Sequence, residues 1–404
     1  MMVLQPAEVR QEEVRGWAEG LEEIAGRIGS HFARREARER ALEYIRALLS
    51  PVERKNSWQL AEIAGDDNPY GLQNLLGRAE WDQDSVRDEL RAYVIEELGD
   101  PDGAVVLDET SFPKKGTKSV GVARQYCGAL GKRENCQVGV LLAYSSSRGH
   151  AFVDRELYLP KEWTQDVERL REAGVPEGVQ FRTKPAIARR MLQRALDAGV
   201  LAKWVLADEV YGADYKLRSL LEERHHRYVL AVASNQYVWV GFYQLRVDEL
   251  IRELSEAAWS RLSCGAGSKG PRVYDWARAK LNCPVEGWER WALARRSIAD
   301  PDDLAYYLVF VPAGTSLEEL VRAAGRRWTI EEAIEQTKSE VGLDQYEVRS
   351  WRGWYRHITL SMLAHAYLAV TRIAANSEAA KGGAPRPAGA SSLAEFRRKR
   401  GLAG

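Results

Sequence analysis

Cysteine is scarce: Cys127, Cys136, Cys264 and Cys283 are the only four in 404 residues, far apart and without a C-x-x-C pair. That excludes a zinc ribbon or a disulfide framework and points to a reducing compartment. An excess of charge of one sign is also missing. Lys plus Arg is 58 and Asp plus Glu is 58, so a polyanionic partner has to be held by local basic patches rather than by a global field. Long hydrophobic runs are absent too. The longest, Ile358 to Val370, is interrupted by Ser361 and His365 and falls short of the ~20 residues that span a bilayer. Glu8, Arg10, Glu12 and Glu13 precede any apolar run, so no secretory signal is visible and a cytoplasmic protein with no membrane partner is expected. At ~150 residues per domain the chain suits two or three domains with a sizeable core.

Up to about Leu49 the apolar residues (Val14, Trp17, Leu21, Ile24, Ile28) recur at helical spacing amid dense charge, the pattern of amphipathic helices. Residues 31–55 turn basic, with seven Arg or Lys against four Glu. Ser57 can cap a short helix to Ala64, the Gly65–Pro69 cluster must end it, and Gly71 to Trp81 resumes. The outline suits either a plain helical bundle or a nucleic-acid-reading module. After Gly103 come short apolar runs at 104–107, 137–144 and 151–159, then helix 184–201, strand 204–207, helix 214–224 and strand 228–232. This is a mixed α/β pattern. Residues 236–314, rich in Trp and turn residues, suggest an inserted β-rich subdomain. Helix returns at Ser316, where Ser316 and Glu319 can form a capping box, and continues over 326–341 and 354–374. The expected domains are a helical DNA-binding domain at 1–100, an α/β core of 101–235 and 315–374, the insertion 236–314, and a disordered basic tail 375–404.

Two acids close apolar runs in the same way: V-V-L-Asp108-Glu109 and W-V-L-A-Asp208-Glu209. Functional groups collect at the carboxyl ends of strands in α/β sheets, although an Asp there is also a common turn former. A third carboxylate lies in R-R-W-T-I-E-E-A-I-E-Q-T-K (326–338). Arg327, Glu331 and Lys338, spaced four and seven apart, share one helical face from which Glu332 diverges by about 100°. Three carboxylates suit Mg²⁺ or Mn²⁺, hard ions that leave positions open for phosphate oxygens, and two such ions catalyse phosphoryl transfer.

Asp, Asp, then a helix bearing W-x-I-E-E with an Arg before and a Lys after, resembles the DDE transposases of bacterial insertion sequences, in the branch with a Tyr-Arg-Glu-Lys signature. V-L-D-E-T-S-F-P-K-K-G (106–116), G-V-A-R-Q-Y (121–126), N-C-Q-V-G-V (135–140), D-R-E-L-Y-L-P (154–160), A-D-E-V-Y-G (207–212) and W-Y-R-H-I-T-L-S-M-L-A-H (354–365) are similar to the IS-seven-oh-one family within it. The resemblance covers about residues 30–372. It implies a ribonuclease-H-like mixed sheet with an all-α N-terminal domain and C-terminal helices. It also implies two Mg²⁺ ions held by Asp108, Asp208 and Glu331, phosphate contacts by Arg327 and Lys338, and cut-and-paste movement of an insertion sequence. The implied partners are double-stranded DNA, both terminal repeats and target, and a second subunit. The signature Tyr falls on Ala324, so its hydroxyl contact is absent or supplied elsewhere.

From Lys114 to Arg155 there are eight Lys or Arg against two acids. Lys114, Lys115, Lys118, Arg124, Lys132 and Arg133 can neutralise phosphates beside the chemistry. Trp276, Trp288 and Trp291, with Arg295 and Arg296, can stack on an unpaired base or simply pack in a core. Gly265–Gly270 fits G-x-G-x-x-G, but Pro271 follows where a helix must open, so a dinucleotide site is not expected. That loop's Lys269 and Arg272 can touch DNA backbone. Gly128–Arg133 lacks the first glycine and final hydroxyl of a P-loop. No H-E-x-x-H occurs, and His357 and His365 suit packing or a phosphate contact better than zinc.

Overall fold

The computed structural model describes residues 11–267 and 270–381. Five helices come first: α1 (Gln11–Ile28), α2 (Arg35–Leu49), α3 (Ser57–Ala64), α4 (Tyr70–Gly77) and α5 (Gln83–Leu98). The cap of α3 is Asn56, one residue before the expected Ser57. Its side chain accepts from the Trp58 and Gln59 N–H groups at 3.1 Å, and Gly65, at φ 80°, ends the helix in the left-handed conformation that glycine adopts without strain.

Four strands follow, β1 (Ala104–Pro113), β2 (Ala123–Cys127), β3 (Lys132–Ser145) and β4 (His150–Tyr158), then α6 (Lys161–Thr164), α7 (Val167–Glu172) and α8 (Lys184–Asp197). Strand β5 (Trp204–Ala207) leads through α9 (Glu209–Gly212) and α10 (Tyr215–Glu223) to β6 (Tyr228–Val232). Next come the hairpin β7 (Tyr237–Val240) and β8 (Tyr243–Arg246), α11 (Val247–Arg252), and β9 (Ser260–Gly267), β10 (Gly270–Leu281), β11 (Trp288–Arg296) and β12 (Leu304–Pro312). Helices α12 (Leu317–Gly325), α13 (Thr329–Val341) and α14 (Trp351–Lys381) complete the described chain.

Ten strands form one mixed sheet in the order β2-β3-β1-β5-β6-β12-β11-β10-β9, with β4 also on β3. Strand β1 runs antiparallel to β3 and parallel to β5, and β5 is parallel to β6. The segment expected as an inserted subdomain is β-rich, but apart from the β7–β8 hairpin it does not form a sheet of its own. Its strand β12 pairs antiparallel with β6, and β11, β10 and β9 extend the main sheet outward. The physical reason is that β6 would otherwise present an open edge of unpaired N–H and C=O groups. The expected disordered tail also differs at its start: α14 runs to Lys381, and residues 382–404 lie outside the described residues.

Helix α14 is long and apolar enough, over Trp351–Ala375, to cross a membrane by composition alone. In this fold it is a core helix. The Arg356 guanidinium donates to the carbonyls of Leu75 and Trp81 at 3.0 Å, and the Tyr44 hydroxyl meets His357 Nδ1 at 2.8 Å, so α14 fastens the N-terminal helices to the sheet. Asp154 ties β4 to α5 and α8. It is fully buried and bonded by Arg87 at 2.9 Å and by two nitrogens of Arg194 at 2.9 and 2.7 Å.

Candidate active site

The fold brings two of the three sequence-predicted acids together. Leu107 of β1 pairs with Ala207 of β5 in parallel register, and the next residues are Asp108 and Asp208. The two carboxylates therefore emerge from neighbouring strands roughly 4.8 Å apart. Asp208 caps α9, accepting from the N–H of Val210 at 3.0 Å and of Tyr211 at 3.4 Å. Gly212 lets that turn lie against β6, because a Cβ there would meet the Ala231 carbonyl oxygen at 1.9 Å. Burial, then the charge of Asp208, pushes Asp108 up to about 7. Burial, then the charge of Glu109, pushes Asp208 up to about 6.

The third acid stands apart. Glu331 is half exposed and held by Arg327, Nη2 to Oε1 2.9 Å, across one turn of helix. Among the described residues no three carboxylate, imidazole or thiol groups lie at metal-holding spacing. The choice of Glu331 over Glu332 follows the helix face: Glu332 bears on His150 instead, whereas Arg327 acts on both aspartates, favouring their charged forms. Lys338 also reaches β1, with Nζ 3.3 Å from the Ser111 carbonyl and 5.7 Å from the centre of the Phe112 ring. Asp108 and Phe112 project to the same side of β1 by alternation, so the cation-bearing face of α13 covers the strand that presents Asp108.

Glu109, next to Asp108, is engaged in a way the sequence does not single out. It faces the other side of β1, where Lys184 Nζ lies 2.6 Å away and the Tyr211 hydroxyl donates to it. The repeated D-E pairs at 108–109 and 208–209 were the available signal, but Lys184 lies 75 positions away, and no local spacing announces it.

The expected basic path is present in part. Lys115, Lys118, Arg124, Lys132 and Arg133 are exposed on and beside the β2–β3 hairpin. Lys118 pairs loosely with Glu172 at 3.1 Å and Lys132 with Glu134 at 3.7 Å, contacts weak enough in solvent to yield to phosphate. Lys114 is partly buried and already engaged. Its ammonium lies 3.5 Å over the Tyr346 ring and 3.2 Å from the Tyr346 carbonyl, and burial lowers it to about 8. Trp288 and Trp291 are partly buried and engaged by neighbouring side chains. Trp288 stacks on Phe310 at 4.5 Å and meets the His225 ring at 5.7 Å. Trp291 lies under Arg278 at 4.2 Å. Trp276 is fully buried against Tyr307. Long-range packing, invisible in local sequence, takes these rings inward.

Arg272 is likewise held, over Trp328 at 4.4 Å and 3.2 Å from the Gly325 carbonyl, and Lys269 lies outside the described residues. Ala324 is buried. The adjoining Gly325 admits β9 so closely that a Cβ would strike the Cys264 carbonyl oxygen at 1.8 Å. His357 and His365 are packing residues. Burial holds both near 3, and His357 bonds Tyr44 and the Gly342 carbonyl.

The donor set suits a hard divalent cation. Asp108 and Asp208 are adjacent, partly buried and reluctant to ionise together, and beyond Arg327 a cation is the counter-charge this pair lacks.

A family model described as "DDE superfamily endonuclease" matches residues 27–249, and one described as "Transposase DDE domain" matches residues 174–367. The chain belongs to the DDE superfamily endonucleases. Within that superfamily its likeness is to the IS701 type: it is 27% identical over 328 residues to "Probable transposase for insertion sequence element IS701" of Microchaete diplosiphon, a match covering 76% of each chain. Among solved structures the NurA nuclease from Sulfolobus solfataricus aligns with a TM-score of 0.29 and 11% identity, over 61% of this chain and 86% of that one.

Proposed function

We propose that this chain is a DNA transposase that cuts the ends of its own insertion sequence and joins the freed 3'-hydroxyls to target DNA. The observation that carries the proposal is the juxtaposition of Asp108, midway along β1, with Asp208, just beyond the end of the parallel β5. Support for a ribonuclease-H-like core comes from the strand order: antiparallel β4, β3 and β1 beside parallel β5 and β6, with the acids at the boundary. Asp108, Asp208 and Glu331 would hold two Mg²⁺, with Mn²⁺ able to substitute. Bound there, the ions supply Lewis acidity toward the scissile phosphate and lower the pKa of the attacking water.

The protein's own part is positioning and charge. Asp108 sits within β1 and Asp208 just past the end of β5, on rigid elements that fix both before DNA arrives. Glu331, half exposed, can leave Arg327 and turn toward the pair. A phosphate would take its place on the guanidinium, so DNA binding and convergence of the three acids are coupled. Lys338 supports the same face of α13. Lys115, Lys118, Arg124, Lys132 and Arg133 follow the DNA backbone outward. Two copies, each bound to one element end in the bacterial cytoplasm, would complete the assembly. Ala324 offers no hydroxyl to the phosphate next to the cut.

A strand-transfer assay with pre-cut element ends in Mg²⁺ tests the reading. Joined products that disappear with Asp108→Ala are expected. Cutting without joining would make the chain a nuclease, and specific binding without cutting would make it a non-catalytic DNA-binding protein.

A further inference from the structure

The hairpin formed by β7 and β8 carries the largest concentration of exposed aromatic surface in the described chain. Phe242 at its tip is 97% exposed, Tyr243 73%, Tyr237 57% and Trp239 53%. From Tyr228 through Leu245 there is no Asp, Glu, Lys, Arg or His, in a chain that is 29% charged. Monomeric proteins rarely leave such a patch to water.

The hairpin is not a loose flap. Asn282, at the end of β10, bonds both polar groups of Gly241, its Oδ1 receiving the N–H at 2.8 Å and its Nδ2 donating to the carbonyl at 2.6 Å. The Asn282 N–H also donates to the Trp239 carbonyl at 3.0 Å. Val238 is buried beneath, so the aromatic rings are displayed from a fixed platform.

Register places that platform away from the acids. Leu281 pairs with Arg290, Arg290 with Phe310, and Phe310 with Tyr228. Tyr228 is the first residue of β6, whereas Asp208 follows the last residue of the parallel β5. The hairpin tip thus lies at the opposite end of the sheet from Asp108 and Asp208, which excludes a role in stacking bases at the cut.

We infer that the β7–β8 hairpin is a self-association surface, through which a second copy of this chain docks symmetrically. An isologous contact sets each residue near its own counterpart, and a patch without charge meets itself without repulsion. Duplex DNA would require cations that the patch lacks; at its base Arg246 is held by Asp248 at 3.0 and 2.8 Å. By register Tyr237 and Trp239 share one face of the hairpin and Tyr243 lies on the other, with Phe242 at the tip between them. The apolar surface therefore wraps round the tip and offers on the order of 500 Å² per copy towards the ~800 Å² per partner of a standard interface. The hairpin is a two-stranded sheet of its own, leaving ladder groups available for pairing across the contact. This inference does not depend on the metal-site reading.

Sedimentation velocity on the full chain without DNA, over a range of protein concentrations, tests it. The wild type should associate to a dimer, and Phe242→Asp or the milder Phe242→Ser should raise the concentration needed by about tenfold or more. Tyr215→Asp, which alters an exposed ring on α10 outside the hairpin, should leave association unchanged. Circular dichroism confirms that the variants fold. A wild type that stays monomeric throughout, or Phe242 variants that associate as the wild type does, would overturn the inference. Weakened DNA binding with unchanged association would also overturn it and mark a nucleic-acid surface.

Discussion

Arg327 holds Glu331 at 2.9 Å across one turn of α13, and the same guanidinium favours the charged forms of Asp108 and Asp208. One cation thus bears on all three acids while only two of them are adjacent. Arg327 partly neutralises a cluster that would otherwise repel itself, and it is the group a DNA phosphate can recruit. The burial of Asp108 and Asp208 then becomes a property that can be measured without substrate.

The first prediction concerns stability against pH in metal-free buffer. Asp108 at about 7 and Asp208 at about 6 both lie above the ordinary 3.8. The folded protein therefore binds these protons more tightly than the unfolded chain does, and stability falls as pH rises from about 4 through 7. Asp108→Asn should be more stable than the wild type at pH 8, by roughly 1–3 kcal/mol, and nearly equal to it at pH 4. Denaturant melts at the two pH values check this. An Asn variant no more stable than the wild type at pH 8 would contradict it.

Much of this site was legible in the chain before the fold was known. Strands 204–207 and 228–232 match β5 and β6 to the residue, because each is a short buried run that contacts decide locally. The helical face shared by Arg327 and Glu331 was readable from spacing alone. The separation of Glu331 from the aspartates was not, since spacing says nothing of which cation captures a side chain. Strand β2 escaped notice because Ala123–Cys127 reads A-R-Q-Y-C, with its polar residues outward on a hairpin. Sheet order was equally hidden: that β12 returns to β6, and that Trp288 finds Phe310, are long-range pairings without a local signature.

A second prediction addresses the buried ion network. Asp154→Ala would remove the fully buried partner of Arg87 and Arg194, leaving the buried Arg87 with Asp88 at 2.6 Å and the partly exposed Arg194 with Glu156 at 3.7 Å. A loss of roughly 3–5 kcal/mol is expected, as for other buried pairs cut on one side. Chemical denaturation reads it directly, and a loss below about 1 kcal/mol, the surface-pair range, would show the network to be solvated.

The basic residues divide into two groups with opposite expected outcomes. Lys114→Met should leave DNA affinity and its salt dependence nearly unchanged, because the ammonium is committed to Tyr346. Arg124→Ala and Arg133→Ala, on the exposed β2–β3 hairpin, should each weaken binding and reduce the salt slope by about one. Fluorescence anisotropy across a salt series separates the two groups. A full unit of slope lost in the Lys114 variant would contradict the assignment.

The central claim is that Asp108, Asp208 and Glu331 act as one site on DNA. Its most direct test is Mg²⁺-dependent cleavage of a duplex carrying the element's own terminal repeat, with each acid changed in turn to alanine. The account predicts that every single variant binds the duplex yet loses cleavage by about a thousandfold or more, Glu331→Ala as severely as either aspartate. Cleavage at the wild-type rate by any one of the three would contradict it.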